Sequence, residues 1–135
     1  MSDAASKIKV LFIDDDNDIL SVVCEYFGLE DDLEVTTCCG GEEGFATARR
    51  WKPDIIFLDI MMPGKTGLQV LREFKEDEET KYIPIVMLTG DTSEASKYKA
   101  LRCFSEDYLQ KPCTFFEIKK MILRVLDKKR RFDVV

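Results

Sequence analysis

The fold is clearest in the stretch Asp54-Ile55-Ile56-Phe57-Leu58-Asp59-Ile60-Met61-Met62-Pro63-Gly64. Its apolar, β-branched and aromatic residues predict a strand that is buried on both faces and ends at Asp59. The Pro63-Gly64 pair then turns the chain away. In open α/β sheets, chemistry lies at the carboxyl ends of the strands, so Asp59 stands where a site is expected. A single Asp in this position more often caps a helix, and other strand ends must therefore supply matching groups.

Similar apolar runs predict four further strands, at residues 8–13, 33–38, 83–89 and 107–111. The helical spacing of apolar residues predicts the intervening helices, which cover 17–28, a short stretch around 68–74, residues 92–103 and a final helix after Thr114. A further helix, with Phe45 and Ala48, is predicted after the Gly40-Gly41 break and stops near Trp51-Lys52-Pro53. Strands that alternate with helices favour βαβ units with right-handed crossovers. We therefore expect a parallel sheet in a three-layer α/β/α sandwich.

Length and composition limit the class of protein. A chain of 135 residues with 45% apolar and 34% charged residues is typical of one globular domain. The apolar runs are too short to span a membrane, and the first residues lack the pattern of a signal peptide, so we expect a cytoplasmic protein without membrane contact. The net charge of -6 argues against general affinity for nucleic acid.

The cysteine and histidine content excludes several kinds of site. The chain has five cysteines without a Cys-x-x-Cys pair, which favours reduced thiols over a zinc site or a disulfide framework. It has no histidine, so it contains neither an imidazole base nor a phosphohistidine of its own.

Chemically capable side chains follow or end four of the predicted strands. Asp14 and Asp15 follow the first strand, Asp59 ends the third, Thr89 ends the fourth and Lys111 ends the fifth. Each alone has an ordinary explanation as a helix cap, a strand residue or a surface lysine. Because parallel strands end at one edge of the sheet, the joint pattern indicates a site there.

In these motifs the chain resembles the receiver domain of two-component response regulators, of the kind found in chemotaxis regulators. The resemblance covers almost the whole chain and rests on Asp14-Asp15, Leu58-Asp59-Ile60-Met61-Met62-Pro63-Gly64, Leu88-Thr89-Gly90 and Tyr108-Leu109-Gln110-Lys111-Pro112. It implies a flavodoxin-like doubly wound sheet of five parallel strands in the order 2-1-3-4-5. It also implies one receiver domain over residues 5–130, and no output domain is visible in the sequence.

The resemblance implies that Asp59 accepts a phosphoryl group in a metal-dependent reaction. The metal would be Mg²⁺, with Mn²⁺ as a substitute, held by Asp14, Asp15, Asp59 and the backbone carbonyl of Met61. Clustered carboxylates repel one another unless a cation intervenes, and Mg²⁺ prefers carboxylate, water and phosphate oxygens. The domain would catalyse its own phosphorylation and dephosphorylation and would not be a conventional enzyme.

The remaining motif residues would bind the phosphoryl group and report its presence. Lys111 would neutralise charge on the transferring oxygens, while the Thr89 hydroxyl and the backbone near Gly90 would contact the bound group. In the implied switch, Thr89 moves toward the phosphoryl group and Tyr108 fills the space it leaves. The plain alternative is that Tyr108 is only a partly buried aromatic residue on a strand.

The resemblance also implies partners outside this chain, which has no histidine to serve as the phosphodonor. The phosphodonor would be a sensor histidine kinase, a phosphotransfer protein or a small phosphorylated molecule. The output would be a downstream protein, a fused domain or a homodimer through helix 92–103, strand 107–111 and the final helix. Phe104-Ser105 replaces the Gly-Ala pair that many receivers have, which leaves the shape of that helix end open.

The sequence leaves three other functions open. A receiver-like interaction module would keep the fold without transferring phosphate. A haloacid-dehalogenase-type phosphatase would use Asp14 as its nucleophile, because Asp14-Asp15-Asp16 also fits an Asp-x-Asp motif, but it would leave Asp59 unexplained. A flavodoxin-like cofactor protein would need a phosphate-binding loop where this chain has three acids.

Overall fold

The computed structural model describes residues 7–90, 107–111 and 113–134. Its five strands are β1 (Ile8–Ile13), β2 (Leu33–Cys38), β3 (Ile55–Asp59), β4 (Ile85–Thr89) and β5 (Asp107–Gln110). The helices within these ranges are α1 (Asn17–Phe27), α2 (Gly41–Trp51), α3 (Gly67–Glu76) and α4 (Phe115–Val134). Within the described residues, none of the helices combines the length and the apolar character needed to cross a bilayer.

The strands form one parallel sheet in the order β2-β1-β3-β4-β5, which confirms the predicted fold. Ile13 at the end of β1 pairs with Leu58 of β3, and Asp59 pairs with Leu88 of β4. This register places Asp14 and Asp59 side by side at the carboxyl edge. The strand order also puts β4 between Asp59 and the end of β5.

Two strand boundaries differ from the prediction. The strand predicted at 83–89 begins at Ile85, because Ile83 and Pro84 precede the parallel ladder and Pro84 lacks an N–H to donate to it. The strand predicted at 107–111 ends at Gln110, so Lys111 follows the strand instead of ending it. The helix predicted at 92–103 and the Phe104-Ser105 pair lie outside the described residues.

The core has two halves, one on each face of the sheet, because successive strand residues point to opposite faces. Leu11 and Ile13 of β1 belong to the half beneath α2 and α3. Val10 and Phe12 belong to the half beneath α1 and α4, where Phe12 stacks on Phe57 with ring centroids 4.7 Å apart. These buried rows make the sheet a rigid base for the residues at its edge.

Side-chain caps define where three of the helices begin. The Asp16 carboxylate caps α1 by accepting hydrogen bonds from the backbone amides of Asp18 and Ile19. A capping box formed by Thr114 and Glu117 precedes α4. A second capping box, between Thr66 and Gln69, starts α3 and was not predicted.

Candidate functional site

Lys111 joins two buried carboxylates at the carboxyl edge of the sheet. Asp14 and Asp59 are only 2% and 4% exposed. The Lys111 Nζ lies 3.0 Å from Asp14 Oδ2 and 3.2 Å from Asp59 Oδ1. Because Lys111 follows β5, its side chain reaches across the end of β4 to make these contacts. The structure thus brings together three of the predicted site residues from three different strand ends.

The three consecutive acids after β1 have different roles. Asp14 points into the site and accepts a hydrogen bond from the backbone amide of Asp16 at 3.0 Å. Asp15 is exposed, yet one of its carboxylate oxygens lies within 4.8 Å of oxygens from Asp14 and Asp59. Asp16 caps α1. The ordinary helix-cap explanation therefore holds for Asp16 alone.

The donor set of Asp14, Asp15 and Asp59 fits a hard divalent cation. An octahedral Mg²⁺ with Mg–O distances of about 2.1 Å spans about 4.2 Å between opposite ligands. One carboxylate oxygen of each residue already lies within 4.8 Å of the other two, a spacing close to that span. The described cluster also carries an excess of negative charge, since it combines three carboxylates with one ammonium, which contacts Asp14 and Asp59.

The excess of negative charge also affects the pKa of Asp59. Burial and the neighbouring Asp14 charge raise the pKa of Asp59 from its ordinary value of 3.8 to about 6, against the opposing effect of Lys111. Burial would lower the pKa of Lys111, but its hydrogen bond to Asp14 and the two carboxylate charges more than offset that effect and raise it. Lys111 therefore stays charged, while Asp59 ionises at a cost.

The backbone after Asp59 also contacts its carboxylate. The Met61 amide donates a hydrogen bond to Asp59 Oδ1 at 3.3 Å, and the Met61 side chain is 62% exposed. This contact helps to orient the carboxylate. The role of the Met61 carbonyl as a metal ligand stays a prediction.

Thr89 and Tyr108 lie on one face of the sheet. Tyr108 pairs with Met87, and Thr89 follows Met87 by two residues, so strand alternation directs both side chains to the α2–α3 face. Thr89 is fully buried, and Tyr108 is partly buried against that half of the core. The backbone amide of Lys111 donates to the Thr89 carbonyl at 2.7 Å, which ties the lysine to the end of β4. Gly90 is exposed just beyond Thr89.

Sequence analysis missed Gly67. Its amide donates to the Ile60 carbonyl at 2.9 Å, and a Cβ at this position would lie 2.1 Å from the Asp59 carbonyl oxygen. The first turn of α3 thus rests directly on the backbone that carries Asp59. A glycine that directly follows a capping threonine, inside the Thr66–Gln69 capping box, is the signal that could have drawn attention to it.

Comparisons with known proteins agree with this geometry. A family model described as the response regulator receiver domain matches residues 10–123. The DNA-binding dual master transcriptional regulator RpaA of Synechocystis is 34% identical over 128 residues, which cover 93% of this chain and 50% of RpaA. Protein PilH of Pseudomonas aeruginosa is 40% identical over 86 residues, which cover 64% of this chain and 71% of PilH.

The solved structures support the same fold. The chemotaxis response regulator CheY4 of Vibrio cholerae superposes with a TM-score of 0.80 at 30% identity, covering 90% of this chain and 100% of that chain. The chain spans about half the length of RpaA and of the transcriptional regulatory protein CiaR of Streptococcus pneumoniae. What those longer proteins do as a whole therefore does not transfer with the match.

Proposed function

Because the chain belongs to the response regulator receiver domain family of two-component systems, we propose that Asp59 accepts a phosphoryl group from a phosphohistidine on another protein. The observation that carries the proposal is the contact of Lys111 with both Asp14 and Asp59 in a buried, acid-rich cluster. Membership of this family argues against the phosphatase alternative, in which Asp14 would be the nucleophile.

Asp59 would act as the nucleophile. One of its carboxylate oxygens forms a bond to phosphorus while the bond from phosphorus to the donor's imidazole nitrogen breaks. The Lys111 ammonium, 3.2 Å from Asp59 Oδ1, would neutralise charge that develops on the transferring oxygens. With a pKa of about 6, Asp59 is ionised, and therefore nucleophilic, above that pH even without a metal.

Asp14, Asp15 and Asp59, with the Met61 carbonyl, would hold Mg²⁺ or, in its place, Mn²⁺. When bound, the ion would supply Lewis-acid shielding of the negative charge that carboxylates and phosphoryl oxygens bring together. Asp14 and Asp15 would hold the site in shape, since their oxygens already lie close to those of Asp59.

Thr89 and Gly90 would receive the phosphoryl group on the side of β4, and Thr89 with Tyr108 would form the switch. A phosphoryl group adds about -1.5 to -2 of charge near neutral pH together with new acceptor oxygens. The shared sheet face of Thr89 and Tyr108 supports a coupled movement. The response would then reach the surface that β5 and α4 contribute, where a downstream protein, a fused output domain or a second copy would bind.

The donor must come from outside the chain. Receiver domains of this family interact with histidine kinases or phosphotransfer proteins, and this chain has no histidine of its own. We place the exchange in the cytoplasm. Loss of the phosphoryl group to water, catalysed by the same residues, would reset the domain.

Incubation with Mg²⁺ and acetyl phosphate, followed by intact-mass and peptide analysis, tests the proposal. We expect the parent protein to gain one phosphoryl group on the peptide that contains Asp59, and Asp59→Asn to gain none. Asp14→Asn should react more slowly at the same peptide. A parent protein that stays unmodified under these conditions would favour the interaction module without phosphotransfer, and modification at Asp14 would restore the phosphatase alternative.

A further inference from the structure

The start of α3 lies unusually close to the backbone of the phosphoacceptor. A Cβ on Gly67 would come within 2.1 Å of the Asp59 carbonyl oxygen and 2.6 Å of Ile60 Cα. Both atoms belong to the main chain, so neither can move aside by rotating a side chain. Only a residue without a side chain allows α3 to begin here.

The peptide after Asp59 is held from both sides. The Ile60 amide donates to the Leu88 carbonyl of β4 at 3.0 Å, and the Ile60 carbonyl accepts from the Gly67 amide at 2.9 Å. The next amide, that of Met61, donates to Asp59 Oδ1 at 3.3 Å. The orientation of the Asp59 carboxylate therefore depends on a short backbone segment that β4 and α3 clamp together.

We propose that Gly67 is a positioning residue for phosphoryl transfer. The absence of a side chain lets the first turn of α3 press on the Asp59–Ile60 backbone, which sets the Asp59 carboxylate against Asp14 and Lys111. Gly67 touches neither metal nor phosphoryl group in this proposal, which rests on the proposed function of Asp59.

Local propensity does not explain this glycine. Glycine is a poor helix former, and the Thr66–Gln69 capping box would accept most residues between its two members. The close contact with Asp59 and Ile60 is what requires it. A methyl group at residue 67 would push α3 and the end of β3 apart, and displacements of this kind at a reacting group can slow a reaction by up to about 100-fold.

The test compares Gly67→Ala with Gly28→Ala. A Cβ on Gly28 would also meet a backbone atom, the Cys24 carbonyl oxygen at 2.7 Å, but it lies at the far end of α1 from Asp14. We expect both variants to melt at a lower temperature than the parent. At saturating Mg²⁺ and acetyl phosphate, well below either melting point, only Gly67→Ala should react more slowly, by about 10- to 100-fold.

Equal rates for Gly67→Ala and the parent, or an equal loss in Gly28→Ala, would overturn the proposal. A parent protein that takes up no phosphoryl group would instead overturn the proposed function itself. The two failures are therefore distinguishable.

A second pair of variants covers the case in which Gly67→Ala does not fold. Thr66→Ala removes the cap at the start of α3, whereas Thr80→Val removes a buried hydrogen bond to the Phe74 carbonyl near its end. If the start of α3 positions Asp59, Thr66→Ala should be phosphorylated several-fold more slowly than Thr80→Val, which should match the parent. Equal rates in the two variants would overturn the proposal.

Discussion

Lysine–carboxylate contacts occur in two settings in this molecule, at the edge of the sheet and on the surface of the helices. Lys111 lies 3.0 Å from Asp14 and 3.2 Å from Asp59, and Lys52 lies 2.8 Å from Glu79. The distances are similar, but the surroundings are not. The Glu79 side chain is 53% exposed, whereas those of Asp14 and Asp59 are 2% and 5% exposed.

The difference shows that burial and charge balance determine what such a contact does. On the surface one ammonium meets one carboxylate in water, and the pair is screened by solvent and salt. At the sheet edge two buried carboxylates share one ammonium, and the pKa of Asp59 rises to about 6 as a result. The folded chain thus holds an uncompensated negative charge that a divalent cation can balance.

The largest expected difference is in the phosphorylation rate when the lysine of each setting is removed. We expect Lys111→Met to slow phosphorylation by acetyl phosphate by about 10²- to 10³-fold, because the charge on the transferring oxygens loses the ammonium that contacts Asp59. Lys52→Met should react like the parent. Rates are compared by intact mass on variants whose circular dichroism shows them to be folded with Mg²⁺. A loss in Lys111→Met of less than about twofold would contradict this role.

The buried charge of Asp59 should also lower the free energy of unfolding when no metal is present. Asp59 binds its proton more tightly in the folded chain, with a pKa of about 6, than in the unfolded chain, so metal-free stability should fall as the pH rises from about 4 through 6. Asp59→Asn cannot ionise and should exceed the parent by about 2 to 3 kcal/mol at pH 7.5 but not at pH 4. Urea unfolding in EDTA measures the difference. Equal stability of the parent and Asp59→Asn at pH 7.5 would mean that the ionised Asp59 carboxylate does not destabilise the fold.

Mg²⁺ should reduce the stability difference between the parent and Asp59→Asn. At a concentration of about 10 to 100 times its dissociation constant, the ion should stabilise the parent by about 1.4 to 2.7 kcal/mol, and EDTA should reverse the effect. Asp59→Asn and Asp14→Asn should gain less stability from the ion, because each has one carboxylate ligand replaced by a neutral amide. Thermal melts with and without the ion provide the measurement, and an equal gain in all three proteins would place the cation elsewhere.

Surface pairs should give the smallest effect. Lys52→Met and Glu79→Gln should leave the melting temperature close to that of the parent, and added salt should remove any remaining coupling between them. A double-mutant cycle of melting temperatures at low and high salt is the measurement. A large coupling that persists at high salt would show that exposure does not separate the two settings.

The sequence predicted the sheet and most of the edge cluster, which consists of Asp14, Asp15, Asp59 and Lys111, because both follow from simple periodicity. Buried parallel strands are apolar throughout, and the charged residues Asp14 and Asp59 mark the places where two of them leave the core. The strand order came from the family resemblance, since apolar patterns do not specify which strands are neighbours.

Other features depend on three-dimensional contacts that a pattern does not encode. The sequence does not separate Asp16, which caps α1, from Asp14, which faces Lys111, since both follow the same strand. The position of Lys111 beyond the end of β5 and the start of β4 at Ile85 depend on hydrogen bonding at strand ends. The need for glycine at residue 67 arises from the approach of α3 to Asp59. The Thr66–Gln69 capping box marks this glycine in the sequence but does not show which backbone it approaches.

If the proposed function is right, a phosphoryl group binds on Asp59 within the edge cluster. The most direct measurement is an NMR titration of the Mg²⁺-loaded protein with beryllofluoride, which forms a stable mimic of a phosphoryl group on a carboxylate. We expect large shifts at Asp59, Thr89 and Lys111, none at Lys52, and no response in Asp59→Asn. An unresponsive parent protein, or the same shifts in Asp59→Asn, would contradict it.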